Sequence, residues 1–228
     1  MSMRLFRILS AISGIVGVIM LNVSFSYPGP PLNPTSAQMA AFAGQHVTST
    51  LSGAWLQASG SLLIILFAFA LVYQAGATTR LAGWMTFFGS MILTVVSLIE
   101  IVFYFGLLYT NPIATGLISN NLIHAVQHLY FIIAAPTLFI PLGIVLLGSR
   151  VLPRVFGYLA LVLGAAFAIL GVVFLDNLVL PVAVQAFASV QALWWLAAAI
   201  TMIVQAARKH GTMAAEAQAS VISSSKSL

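Results

Sequence analysis

The segment Leu81–Leu108, LAGWMTFFGSMILTVVSLIEIVFYFGLL, decides the fold of this chain. It contains a single residue of formal charge, Glu100. At about 1.5 Å per residue, a helix of this length crosses the roughly 30 Å of hydrocarbon in a bilayer. The segment therefore predicts a transmembrane helix. Its carboxylate must face protein or water rather than lipid, because a charge at mid-membrane costs about 2.5–3.5 kcal/mol.

The whole chain has the composition of a polytopic membrane protein. Of its 228 residues, 61% are hydrophobic and 5% are charged, whereas a soluble domain has about 25% charged residues. The net charge is +5, but the basic residues are spread over segment junctions and form no basic patch, so we expect no nucleic-acid partner. The chain has no cysteine, which excludes disulfides, thiolate nucleophiles, iron–sulfur clusters and cysteine-ligated zinc.

Six apolar segments predict an all-α polytopic transmembrane helix bundle, with the lipid bilayer as its partner. Residues 36–52 are mildly amphipathic and predict a short outer-surface helix after span one. Residues 211–228 are rich in Ala and Ser and predict a disordered cytoplasmic tail. The predicted spans, within a single transmembrane domain of residues 1–210, are about 8–25, 53–73, 81–108, 117–147, 155–175 and 179–206.

The basic residues predict how these spans are oriented. With six spans, all eight fall on one side of the membrane, which predicts that both termini are cytoplasmic. They are Arg4, Arg7, Arg80, Arg150, Arg154, Arg208, Lys209 and Lys226. The first segment has an alternative interpretation as a cleaved signal peptide, since Ser24 and Ser26 are small residues before a cut at Tyr27. Gly14 and Gly17 suit close helix packing and favour a retained span.

The turn between spans four and five carries a resemblance. The stretch Arg154-Val-Phe-Gly-Tyr158-Leu-Ala-Leu-Val-Leu-Gly164 follows a proline-containing span. In this pattern the chain resembles small six-span bacterial membrane proteins of the domain-of-unknown-function type, over spans two to five. The resemblance implies a multi-pass protein of the bacterial cytoplasmic (inner) membrane. It supplies no catalytic residues to carry over.

Polar residues in spans three and four form the candidate site. The spacing of Ser90, Thr94, Ser97, Glu100 and Tyr104 places them on one side of span three. Span four opens with Asn120-Asn121-Leu-Ile-His124-Ala-Val-Gln127-His128, and a short outer loop makes the two spans antiparallel neighbours. Counting residues from the outer ends predicts that Glu100 and His128 come level in the outer half of the membrane. We therefore predict a ligand-binding or structural polar cluster of Glu100, Tyr104, His124, Gln127 and His128.

Two interpretations of this cluster involve no metal. In the structural one, Glu100 accepts a hydrogen bond from a histidine or from Tyr104 and joins spans three and four. In the other, a cavity in the outer half of the bundle binds or conducts a small ligand, an ion or a proton. Bending of span four at Pro136 and Pro141 supports the second interpretation. A six-span protein is small for a transporter, so we also consider a homo-oligomer.

The alternative is a metal- or haem-binding protein or enzyme. His124 and His128 are four residues apart and present two imidazoles on one side, as the H-E-x-x-H helix does. That motif's glutamate is missing here, and a haem would need its second axial ligand from elsewhere. No nucleophile elbow or phosphate-binding loop occurs, so we expect a non-enzymatic protein without a cofactor. The candidate metal ligands are His124, His128, Glu100, His46 and Asp176.

Overall fold

A computed structural model describes residues 2–31, 34–109, 113–173 and 182–225. All regular structure in these residues is helical, and six helices are long and apolar enough to cross a membrane. The predicted all-α six-span bundle is thereby confirmed. The helices are α1 (Met3–Ser24), α2 (Ser36–Gln74), α3 (Leu81–Tyr109), α4 (Ile113–Leu129), α5 (Ala135–Leu147), α6 (Arg154–Val173) and α7 (Val182–Ser225).

The first span packs tightly into the bundle. A Cβ atom built on Gly17 would lie 2.8 Å from the Gly60 carbonyl oxygen, and one built on Gly60 would lie 2.9 Å from the Gly17 oxygen. One turn earlier, Gly14 lies against the ring of Phe67, with Cδ1 2.8 Å from the built Cβ. Real side chains do not tolerate such distances, so glycine allows the α1 and α2 backbones to touch.

The helix predicted after span one is present as a segment that a kink separates from span two. Helix α2 consists of two helical segments that meet at a kink at His46, where the backbone leaves helical dihedral angles (φ −118°, ψ 17°). Its start is a capping box, in which Thr35 Oγ1 accepts from the Gln38 backbone and Gln38 Oε1 accepts from the Thr35 backbone. This arrangement supplies partners to backbone groups that a helix start leaves unsatisfied. Residues 36–45 therefore extend span two, beyond a kink.

This segment packs its apolar side against the bundle, and most of its other residues are exposed. Met39 and Phe42 are buried, and they pack with Leu107 of α3 and Ile123 of α4. The segment is amphipathic, as its sequence indicates, but its apolar side is buried against two other helices rather than the membrane surface. The segment packs against α3 and α4 because this contact removes the apolar surface of Met39 and Phe42 from water and lipid headgroups.

The fourth span contains a π-helical turn, Tyr130–Ala134, between α4 and α5. In this turn the Ala135 N–H donates to the Tyr130 carbonyl, five residues back. Pro136 follows directly and has no N–H to donate. Thr137 Oγ1 shares its proton between the carbonyls of Ile133 at 2.6 Å and Ala134 at 3.1 Å. The predicted disturbance of span four by proline thus takes the form of a π-helical turn directly before Pro136.

Helices α3 and α5 approach each other at a second glycine contact. Pro141 has no N–H for the Thr137 carbonyl four residues earlier. A Cβ atom built on Gly89 of α3 would lie 2.2 Å from that Thr137 oxygen. The glycine therefore allows the backbones of α3 and α5 to touch.

The last helix is longer than the predicted span. Its membrane-crossing part is Ala186–Arg208, but α7 continues as a helix to Ser225, where the sequence predicts disorder. Alanine, glutamate and glutamine in this segment favour helix. Within the membrane part, Trp195 is fully buried against Phe67 and Phe139, and the Trp194 Nε1–H donates to the Phe156 carbonyl at 3.1 Å.

Candidate functional site

A cavity of about 500 Å³ lies among α1, α2, α3, α4, the π-helical turn and α7. Helices α1, α2, α3 and α7 and the π-helical turn each contribute polar and apolar side chains to its wall. Helix α4 contributes two polar ones. The polar residues of the wall are Asn22, Gln57, Ser61, Ser97, Glu100, His124, Gln127, Tyr130, Ser189 and Gln191. No Lys or Arg occurs among the wall residues of the described chain.

Glu100 is the acidic residue of this wall, and its side chain is held by two amides. Gln57 of α2 donates through Nε2 to Oε2 at 2.5 Å, and Gln127 of α4 donates through Nε2 to Oε1 at 3.0 Å. Glu100 is 8% exposed. Both carboxyl oxygens accept a hydrogen bond, and each of these bonds stabilises negative charge on the oxygen that it contacts.

Two further polar contacts link the helices around the cavity. Ser97 Oγ of α3 donates to Ser61 Oγ of α2 at 3.1 Å, one turn deeper than the Glu100 contacts. The Tyr130 hydroxyl, at the start of the π-helical turn, donates to Gln191 Oε1 of α7. Because these bonds join different helices, they hold the wall in a defined shape.

The wall changes from polar to apolar along the helix axes. On α2 the polar end is Gln57 and the apolar end is Ile64; on α3 they are Glu100 and Leu93. Each pair is seven residues apart, which corresponds to about 10 Å along a helix. The apolar end is completed by Val18, Phe131 and Trp195. In the orientation that the basic residues predict, the polar end is the outer one.

Three of the five predicted cluster residues line the cavity. Glu100, His124 and Gln127 all line the cavity, and Gln127 lies beside His124. Tyr104 instead packs against the buried apolar group that contains Met39. His128 is buried outside the cavity wall, and its Nε2 has no hydrogen-bond partner in the described chain. The predicted donors to Glu100, a histidine or Tyr104, are therefore replaced by two glutamines.

The candidate metal ligands that the structure describes do not form a metal-binding group. His46 lies at the kink of α2, where its ring contacts Phe42 with a centroid distance of 5.0 Å. Asp176 lies outside the described residues. Among the residues that are described, no group of three or more His, Cys, Asp or Glu side chains has a geometry that could hold a metal ion.

The sequence reasoning did not identify Gln57, which is the closest partner of Glu100. A signal was present, since Gln57 and Ser61 are four residues apart in an otherwise apolar span and therefore lie on one side of the helix. That side faces Ser97 and Glu100, which are separated by three residues on α3. Matching the polar sides of spans two and three would have predicted the contact.

The arrangement combines a negative charge, neutral hydrogen-bonding groups and an aromatic end in one cavity. Such a cavity can hold a small molecule by charge and by apolar contact at once. The wall serines Ser61 and Ser97 hydrogen-bond to each other rather than to a base. Comparisons with protein-family models, with curated proteins and with solved structures found no match for this chain.

Proposed function

We propose that this protein is a multi-pass protein of the bacterial cytoplasmic membrane that binds a small ligand in the cavity beside Glu100. The observation that carries the proposal is a buried carboxylate, held by two neutral amides, on the wall of a cavity of about 500 Å³. Six apolar helices support the membrane location. The resemblance to small bacterial membrane proteins supports the choice of membrane.

The volume favours ligand binding over a purely structural role for the polar residues. A hydrogen-bonded link between helices needs no adjacent space, whereas this cavity lies directly beside the linked residues. Ligand pockets typically measure about 300–1,000 Å³, with mostly apolar walls and a few converging polar groups. The cavity of about 500 Å³ has this size and this composition.

Filling the cavity tests the proposal. Ala192 lines the cavity on α7, so Ala192→Phe occupies part of its volume. Ile169 on α6 is 63% exposed toward lipid, so Ile169→Phe adds a ring without touching the cavity. We expect that small molecules which raise the melting temperature of the purified wild-type protein also raise the melting temperature of Ile169→Phe. In Ala192→Phe the same molecules should have no effect.

The screen should contain cationic, neutral and anionic molecules of matched size, because the proposal at this level does not depend on ligand charge. Ligand-induced stabilisation that is equal in Ala192→Phe and in the wild type would contradict it. So would the absence of any stabilising molecule in the screen.

A further inference from the structure

We infer that the ligand is a monovalent organic cation about 10 Å long, including its apolar body. Its charged group would lie beside Glu100, and its apolar body would point toward Phe131 and Trp195. This inference rests on the proposed function and specifies the chemistry of the molecule that is bound. It follows from the charge, the size and the polarity of the cavity.

The first step concerns charge. The Glu100 carboxylate accepts hydrogen bonds from two neutral amides, which stabilise an anion without neutralising it. A buried charge without an opposite charge is strongly unfavourable, and the described wall contains no Lys or Arg. His124 is the wall residue of the described chain that can gain a positive charge. A protonated His124 would compete with the ligand and remove any preference for cations.

The second step concerns size. The cavity of about 500 Å³ exceeds by far the roughly 30 Å³ of a water molecule, and an inorganic ion has a similar size. A metal ion also requires several ligands at short distance, whereas the described His, Asp and Glu side chains form no such group. An organic cation satisfies the charge and fills the remaining volume.

The third step concerns polarity along the cavity. The end near Glu100 is polar, and the opposite end, about 10 Å away along the helices, is formed by Leu93, Ile64 and aromatic rings. Trp195 is fully buried in that wall. A molecule with one charged end and an apolar body matches both ends, and aromatic side chains also attract cations through their ring faces.

A matched pair of probes tests the inference. Benzyltrimethylammonium and neopentylbenzene have nearly the same shape, but only the first carries a charge. Binding to the full-length protein in a neutral detergent is measured by calorimetry, with free probe concentrations taken from a detergent-only sample. We expect the wild-type protein to bind the cation at least about tenfold more tightly than its uncharged counterpart, or about 1.4 kcal/mol.

Three variants assign this preference to Glu100. Glu100→Gln keeps the shape and removes the charge, so the two probes should then bind within about twofold of each other. Glu100→Asp keeps the charge and should retain the preference, which maintains the test if Glu100→Gln does not fold. Glu216→Gln makes the same change about 30 Å further along α7 than Trp195 and should have no effect.

Equal binding of the two probes to the wild type would overturn the inference, and so would a preference that survives in Glu100→Gln. If neutral or anionic molecules bind and Ala192→Phe prevents it, the ligand class is wrong but the proposed function stands. If no molecule of any charge binds, the proposed function itself fails.

Discussion

Gln57 Nε2 donates a hydrogen bond of 2.5 Å to Glu100 Oε2, which joins α2 and α3 inside the membrane-spanning part of the bundle. Gln127 of α4 completes the carboxylate's environment on its other oxygen. The three residues form the centre of the proposed site, and their energetic coupling can be measured.

The first prediction is a double-mutant cycle between Gln57 and Glu100. Gln57→Leu leaves a buried carboxylate oxygen without a donor and should lower the free energy of unfolding by about 1–3 kcal/mol. Glu100→Gln removes an uncompensated buried charge, so the ligand-free variant should be at least as stable as the wild type. In the Glu100→Gln background the cost of Gln57→Leu should fall below about 1 kcal/mol.

Unfolding in mixed detergent micelles, followed by circular dichroism, supplies these free energies. If Glu100 serves only to join helices, the free energy of unfolding of Glu100→Gln should instead be lower than that of the wild type. If Glu100→Gln alone destabilises the ligand-free protein as much as Gln57→Leu does, Glu100 serves to join helices rather than to hold a ligand.

A second prediction concerns the contact between α3 and α5. Gly89→Ala places a Cβ 2.2 Å from the Thr137 carbonyl oxygen, and backbone atoms cannot move aside as a side chain can. We expect a loss of about 1–3 kcal/mol or more. Gly44→Ala is the matched control, because nothing lies within 4 Å of a Cβ there and alanine is the better helix former. Thermal unfolding in detergent measures both, and equal melting temperatures would refute the close approach.

A third prediction concerns the first span, for which the sequence also allowed a cleaved signal peptide. Because Gly17 touches Gly60, Gly17→Leu should separate α1 from α2 and lower the melting temperature by several degrees. Gly29→Leu introduces the same side chain where nothing lies within 4 Å and should have little effect. If the segment is removed during export, Gly17→Leu will leave the purified protein's melting temperature unchanged, and its intact mass will lack the segment.

The Tyr130–Gln191 contact yields a fourth prediction. Tyr130→Phe removes the hydroxyl that donates to Gln191, and hydrogen bonds between membrane helices average about 0.6 kcal/mol. We expect a loss of about this size. Tyr158→Phe makes the same change at a residue that is 59% exposed and should be neutral. A cost above about 2 kcal/mol would mean that this bond supports more of the structure than one contact.

Membrane orientation is the fifth prediction, and the absence of cysteine makes it simple to test. Ser26 and Thr79 are both exposed and lie in connections at opposite ends of α2. If both termini are cytoplasmic, a membrane-impermeant maleimide added to whole cells should label Ser26→Cys and not Thr79→Cys. Labelling of Thr79→Cys from outside, with Ser26→Cys protected, would reverse the orientation.

The number of spans could be predicted from the sequence because hydrocarbon imposes a simple rule. A segment such as Leu81–Leu108 is too long and too apolar for any environment except a membrane, and the basic residues at the junctions supply an orientation. Burial of Glu100 followed from the same rule, since a carboxylate in such a segment is expelled from lipid. These properties depend on composition along the chain and not on which helices are neighbours.

The partners of Glu100 could not be predicted, because they depend on helix rotation and separation. The sequence predicted that His128 lies level with Glu100, yet Gln127 makes the contact. Adjacent residues of a helix point about 100° apart, so a small error in helix rotation changes which residue faces Glu100. The π-helical turn after Leu129 alters the direction of span four at that depth. Helix spacing was equally hidden, because it results from backbone contacts such as Gly17–Gly60 and Gly89–Thr137.

The sequence by itself thus determined a six-span membrane bundle with one buried carboxylate in its third span. Both follow from the lipid hydrocarbon, which requires long apolar helices and excludes charged groups. Only the tertiary structure decided that Gln57 and Gln127 would hold that carboxylate, that residues 36–45 would pack against α3 and α4, and that a cavity would remain between six elements. The physical reason is that close packing between helices depends on side-chain shapes from distant parts of the chain, which no local pattern encodes.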